Sequence, residues 1–240
     1  MAAPRLSRSQ HRAIAVLEVL LCSSLPTQIF IAGVLGAIGV PDRTPAEQLS
    51  LPFVLALSLG DTVLLVGLMV MLTRAHGESP WALWRGRRPL TREAMLGVAL
   101  VPAAILVAGL LLGSLRELAP WLHNVPTNPL ESLASGGPGD AAVFGVIAIL
   151  AGGVREELQR AFLLQRFERH LGGMTVGVVV LSTAFGLGHV LQGWDAVVAT
   201  GALGAFWAIV YVKRRCSLAP IISHAGFNSI EVLRVAVGGQ

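Results

Sequence analysis

Polar and ionisable side chains gather in the C-terminal half of a largely apolar chain. Placing an ionisable group inside a membrane-spanning helix costs about 2.5–3.5 kcal/mol, so such groups indicate a functional site. A carboxylate can take a proton from water, while imidazole and carboxamide groups can polarise a carbonyl and hold its oxyanion. These residue types suit hydrolysis, and the candidate catalytic residues are Glu156, Glu157, Arg160, His189, His224 and Asn228.

The spacing of these residues indicates how helices bring them together. Glu156 lies sixteen residues before the Gly172–Gly173 pair, and His189 lies sixteen residues after it. At ~1.5 Å per residue, both lie roughly 24 Å from that turn, and therefore at equal depth in an antiparallel helix hairpin. His224 and Asn228 are four residues apart, which places them on one face of a further helix.

The same residues allow a second mechanism. Glu156, His189 and His224 could instead bind a divalent metal such as Zn, which would activate the water. The residue types leave the choice between metal-free and metal-dependent hydrolysis open.

The composition predicts that these helices lie in a membrane. Of the 240 residues, 54% are hydrophobic and 13% are charged, and the mean hydropathy is +0.69. A soluble globular domain carries about 25% charged residues, so a water-soluble enzyme and a disordered protein are excluded. Two cysteines exclude a disulfide scaffold. We discount nucleic-acid binding despite the net charge of +4, because the basic residues lie between apolar runs.

The long apolar runs predict an all-α, polytopic membrane bundle with about seven transmembrane helices. A spanning helix needs about 20 apolar residues, and Pro26 predicts a kink or a break in the first of them. The predicted spans are 13–40, 51–73, 94–115, 141–170, 174–191, 194–212 and 217–237.

Basic and acidic segments alternate between the predicted spans, which places the N-terminus in the cytoplasm. We therefore divide the chain into a basic N-terminus (1–12), N-terminal helices (13–115), an extramembrane loop (116–140) and C-terminal catalytic helices (141–237).

Glu18 and Asp61 stand alone in the first two spans. We favour the interpretation that each makes a pairing or packing contact within the bundle. As relay groups they would instead indicate a proton-coupled carrier, but the inverted repeat typical of many carriers is missing.

Three motifs in the C-terminal half resemble those of the CPBP family of intramembrane proteases (CAAX protease and bacteriocin-processing, also called Abi). This family includes the type II CAAX prenyl endopeptidases, and its motifs are Glu-Glu-x-x-x-Arg, Phe-x-x-x-His and His-x-x-x-Asn. Here the second is Phe185-Gly-Leu-Gly-His189 and the third is His224-Ala-Gly-Phe-Asn228. The resemblance covers about residues 140–235.

The first motif, which runs from Arg155 to Phe162, departs from the family because two residues separate its Glu pair from Arg160, not three. If Arg160 sets the register, Arg155 takes the place of the first Glu; otherwise the Arg is displaced by one. Glu156 and Arg160 lie four apart and can pair on one helix face, whereas Glu157 points about 100° away. We therefore predict that Glu156 is the functional carboxylate, kept ionised by Arg160, with Glu157 as the alternative.

The resemblance implies an endopeptidase that hydrolyses peptide bonds in the membrane. A Glu activates water, and the His and Asn residues orient it and stabilise the oxyanion. Some family members are described as metalloproteases, and a metal-free glutamate mechanism is proposed for others. The expected partners are membrane lipid and a peptide or membrane-protein substrate that can be lipidated, with no nucleic acid.

Bacterial members of the family are linked to bacteriocin self-immunity or to the processing of other membrane peptides. The expected location is therefore the cytoplasmic membrane of a bacterium, as a multi-pass protein. The altered spacing of the first motif favours one alternative, a catalytically altered membrane scaffold or immunity protein.

Overall fold

The computed structural model describes residues 7–238, which fold into helices with no β-strand between them. A π-helix over Ala148–Arg155 continues α7 directly into α8. The helices are α1 (Arg8–Leu21), α2 (Leu25–Ala37), α3 (Leu51–Ala75), α4 (Pro80–Arg85), α5 (Leu90–Leu118), α6 (Ser132–Ser135), α7 (Pro138–Ile147), α8 (Glu156–His170), α9 (Met174–Leu187), α10 (Trp194–Arg214) and α11 (Leu218–Gly238). The all-α prediction is confirmed.

Within the described part of the chain, four helical segments are long and apolar enough to cross a membrane. They are Arg8–Ala37, which joins α1 and α2, then Leu51–Ala75, Leu90–Leu118 and Trp194–Arg214. The chain is an integral membrane protein of several apolar helices. The other three predicted spans coincide with α7 through α8, with α9 and with α11. Of these, α9 is apolar but has only 14 residues, so the count of seven stays a prediction.

The first predicted span is broken into two helices. The helix α1 ends at Leu21 with Cys22 as its C-cap, and Ser24 adopts the left-handed backbone conformation with φ 68°. Pro26 then occupies the first turn of α2, where its missing N–H leaves no intrahelical bond unmade. The break turns the hydroxyl of Ser24 towards the C-terminal helices.

The helix α1 begins within the predicted basic N-terminus (1–12). Its first residue is Arg8, because Ser7 and Gln10 form a reciprocal capping box. Residues 1–6 of the predicted N-terminus lie outside the described part of the chain.

The predicted loop 116–140 is folded against the start of α10. The Nδ1 atom of His123 lies 2.8 Å from the carboxylate of Asp195, and Arg116 donates to the same carboxylate over 3.3 Å. Asp195 is buried, so these two partners compensate a charge withdrawn from water. The loop is thereby fixed beside the segment that carries His189.

The C-terminal helices pack closely around α8. Gly172 and Gly173 have φ values of 99° and 94°, which forms the turn predicted between α8 and α9. On the other side, α11 lies against the π-helix, where a Cβ on Gly153 would come within 2.7 Å of the Cβ of Ala225. This close approach lets α11 direct its polar side chains at the first turn of α8.

Candidate active site

Glu157 lies at the centre of a buried polar cluster. Its side chain accepts hydrogen bonds from Nε of Arg160 at 3.2 Å and from Nδ1 of His224 at 2.9 Å. Glu157 and Arg160 are 2% and 5% exposed, so the ion pair is shielded from water. A guanidinium and an imidazole therefore hold this carboxylate in place.

This arrangement corrects the predicted partner of Arg160, which pairs with Glu157 and not with Glu156. Residues three apart share a helix face as residues four apart do, so the spacing alone did not decide between the two. Packing decides, because Arg160 donates to the carbonyl of Gly204 on α10 and its guanidinium lies 4.8 Å from the ring centroid of Phe185.

Glu156 is the more accessible of the two carboxylates. Its side chain is 20% exposed, and Nη2 of Arg155 lies 3.4 Å from Oε1. The other oxygen, Oε2, lies 3.9 Å from Nε2 of His224. Glu156 therefore borders the cluster on its open side, while Glu157 closes it on the inside.

His224 stands between the two carboxylates. Because ionised Glu157 can only accept, Nδ1 carries the proton and Nε2 faces Glu156. The indole of Trp207 stacks on the imidazole with centroids 3.7 Å apart and an interplanar angle of 15°. Trp207 in turn donates from Nε1 to the hydroxyl of Ser223, so the imidazole is held on its face and at one edge.

His189 occupies a turn and not a helix face. The predicted span reached residue 191, but α9 ends at Leu187. Nδ1 of His189 donates to the carbonyl of Phe185 over 2.8 Å, which leaves Nε2 free to accept. In the described chain no hydrogen bond or ion pair joins His189 to Glu156, so the predicted direct facing of the two is not observed.

The ring of Phe185 connects the two histidines. It lies edge-on to His189 at 4.9 Å and to His224 at 6.1 Å between centroids. With Arg160 on the same ring, three of the predicted site residues contact one aromatic side chain. The structure thus brings His189 to the cluster through packing alone.

Asn228 binds the π-helix. Its Nδ2 donates to the carbonyl of Ala148 over 3.1 Å. A Cβ on Gly152 would lie only 2.5 Å from this nitrogen, so the amide fits because position 152 is glycine. His224 and Asn228 share one face of α11, as the spacing predicted.

Arg155 is a neighbour of the site. The motif comparison considered it only as the residue that takes the place of the family's first Glu. Its side chain is 9% exposed and reaches Ser24 on Nη1 at 2.7 Å. It also contacts Gln159, which donates to the carbonyl of Cys22 over 2.7 Å. No local pattern could reveal these partners, because they lie more than 130 residues earlier in the chain.

The predicted metal ligands do not form a metal site as they are arranged here. No group of three His, Cys, Asp or Glu side chains among residues 7–238 is placed to hold a metal ion. Nδ1 of His224 is engaged by Glu157, and His189 has no polar contact with Glu156. Metal dependence therefore stays a prediction.

The C-terminal part of the chain matches the model of a known protein family. Residues 138–230 match the family model described as type II CAAX prenyl endopeptidase Rce1-like. This segment contains all six predicted site residues and lies within the region of the predicted resemblance, apart from its first two residues. No curated protein and no solved structure matches the chain.

Proposed function

Because residues 138–230 form a domain of the Rce1-like type II CAAX prenyl endopeptidase family, we propose that the chain is an intramembrane endopeptidase. The observation that carries the proposal is the Glu157–His224–Glu156 arrangement at the meeting point of α8, α10 and α11. It supplies a general base, an oriented imidazole and a polar pocket among apolar helices.

Glu156 is the proposed base. Its carboxylate is the exposed one of the pair, so water and a peptide carbonyl can reach it. Glu156 takes a proton from water as the oxygen attacks the carbonyl carbon, which forms a C–O bond and an oxyanion. The proton then passes to the leaving nitrogen as the C–N bond breaks, and Glu156 returns to its starting state.

Glu157 and His224 act as a pair. The Nδ1–H···Oε1 bond fixes the orientation of the imidazole, and Nε2 faces Glu156. In the imidazolium form, Nε2 donates to the oxyanion or to the leaving group. Arg160 offsets the negative charge of Glu157, so that the pair is tolerated in a buried position.

His189 is proposed to orient the water, and Asn228 to stabilise the oxyanion. Nε2 of His189 can accept a hydrogen bond from the water, because Nδ1 donates to the backbone carbonyl of Phe185. Asn228 uses one N–H for Ala148 and has a second to donate. Preorganised donors of this kind stabilise the charge that develops in the transition state.

The proposed substrate is a membrane-associated peptide or membrane protein, lipidated or not, cleaved in the cytoplasmic membrane of a bacterium. The family match supports the membrane-associated peptide. The apolar helices around the site support a substrate that is delivered through lipid.

A second candidate is a catalytically altered scaffold or immunity protein. It is favoured by Arg155, which contacts Glu156 at the position where the family motif can carry its first acid. In this case loss of Glu156 would leave the protective effect of the protein intact in a bacteriocin challenge.

The deciding experiment uses the purified chain in liposomes with an internally quenched peptide ending in a farnesylated CAAX sequence, and the same peptide without the farnesyl group. We expect cleavage by the wild type and a loss of about 10²- to 10⁴-fold in Glu156→Gln. A chelator arm separates metal-dependent from metal-free cleavage. Wild-type rates in the Glu156→Gln variant would contradict the proposed base.

A further inference from the structure

A line of three charged side chains, Asp61, Arg155 and Glu156, connects α3 to the active site. The helix α3 lies outside the family-matched segment. Nη1 of Arg155 lies 3.5 Å from Oδ2 of Asp61, and Nη2 lies 3.4 Å from Oε1 of Glu156. One guanidinium therefore bridges two carboxylates from different parts of the chain.

Asp61 is fixed more firmly than an isolated acid in a spanning helix would be. It is 1% exposed, and Thr27 and Gln28 on α2 donate to its two oxygens. The cost of burying its charge is offset by these donors and by Arg155. This confirms the interpretation of Asp61 as a group paired within the bundle.

The two ends of the line differ in exposure. Asp61 is enclosed, whereas the side chain of Glu156 is 20% exposed at the active site. Arg155 shares its positive charge between the carboxylate of Asp61 and that of Glu156. The guanidinium therefore orients Glu156 while it is also paired with Asp61. Removing Asp61 would leave Arg155 to bind Glu156 alone and draw it away from Nε2 of His224.

We infer that Asp61 and Arg155 are positioning residues that hold Glu156 for its reaction, with Asp61 acting through Arg155. The inference rests on the proposed function, because Glu156 is the base of that reaction. The inference assigns a role in the site to the N-terminal helices. Arg155 stands where the family motif can carry an acid, and Asp61 on α3 is its carboxylate partner.

The test is a double-mutant cycle on kcat and KM with the quenched peptide in liposomes. Asp61→Asn and Arg155→Gln should each lower kcat by about 10- to 100-fold with little change in KM, since they misplace the base without touching the substrate. If Asp61 acts through Arg155, the double variant should be no slower than the slower single variant.

The matched control is Glu18→Gln. Glu18 is also a buried acid of the N-terminal helices, but it pairs with Arg166 and His76, both at 2.5 Å, and does not contact Glu156. We expect this variant to lower the unfolding temperature in detergent as Asp61→Asn does, while kcat stays at the wild-type value.

Thr27→Val provides a milder variant in case Asp61→Asn does not fold. It keeps every charge and removes one donor to Asp61, so kcat should fall by a smaller factor. Wild-type kcat in folded Asp61→Asn or Thr27→Val, or losses that multiply in the double variant, would overturn the inference while the proposed function stands. Absence of cleavage by the wild type would overturn both.

Discussion

At the scale of single residues, two adjacent glutamates have different environments and therefore different roles. Glu157 is enclosed by Arg160 and His224, whereas Glu156 is open and touches Arg155. A change of either to glutamine removes one charge and keeps the shape. The consequences should differ, because Arg155 has a second carboxylate partner in Asp61, whereas Arg160 has no second one among the described residues.

We expect Glu157→Gln to lower both stability and activity. Arg160, 5% exposed, would lose its carboxylate partner, and breaking a buried ion pair costs about 3–5 kcal/mol. Cleavage should fall as well, because His224 loses the carboxylate that fixes the orientation of its imidazole. Thermal unfolding in detergent and the cleavage rate are measured side by side.

Glu156→Gln is the comparison for that variant. We expect it to lower the cleavage rate by about 10²- to 10⁴-fold while the unfolding temperature stays close to the wild type, since its partner Arg155 keeps Asp61. A strongly destabilised Glu156→Gln with a stable Glu157→Gln would reverse the assignment of the two residues.

At the scale of elements, the sequence predicts the positions of the helices better than it predicts where they end and how they connect. The turn at Gly172–Gly173, the helix α3 and the shared face of His224 and Asn228 follow from local spacing. The π-helix and the early end of α9 do not, because both depend on packing between helices. The predicted partner of Arg160 was wrong for a similar reason, because contacts with Gly204 and Phe185 on other helices direct its side chain to Glu157.

We expect Gly153→Ala to displace α11 from the π-helix. The new Cβ would lie 2.7 Å from the Cβ of Ala225, and relieving such an overlap costs about 1–3 kcal/mol. Because α11 carries His224, kcat should fall together with the unfolding temperature. Both are measured on the purified protein in detergent and in liposomes.

Gly145→Ala is the matched control, since its Cβ would meet only Val232 at an ordinary 3.9 Å. It lies on the same helical run and should keep both stability and activity. Adding Ala225→Gly would remove the contact at 2.7 Å but leave the new Cβ 2.9 Å from the Cα of residue 225, so the double variant should stay impaired. Wild-type kcat and unfolding temperature in Gly153→Ala would show that the helices tolerate the overlap.

At the scale of the whole molecule, the family-matched segment is held by helices outside it. Glu18 of α1 pairs with Arg166, and Asp61 of α3 with Arg155, so two buried ion pairs join the N-terminal helices to α8 and the π-helix. These partners are distant in sequence, and no short motif could predict them. What the sequence does predict at this scale is the orientation in the membrane.

The helix α5 offers a direct test of that orientation. Its N-terminal end follows a segment rich in arginine, which the positive-inside rule places in the cytoplasm, and its C-terminal end carries Glu117. We expect Glu117→Cys to react with a membrane-impermeant maleimide in intact cells, and Arg87→Cys to react only after permeabilisation. Both positions are exposed, while the native Cys22 and Cys216 are buried and serve as the unlabelled background. The reverse labelling pattern would contradict the predicted orientation, with the N-terminus in the cytoplasm.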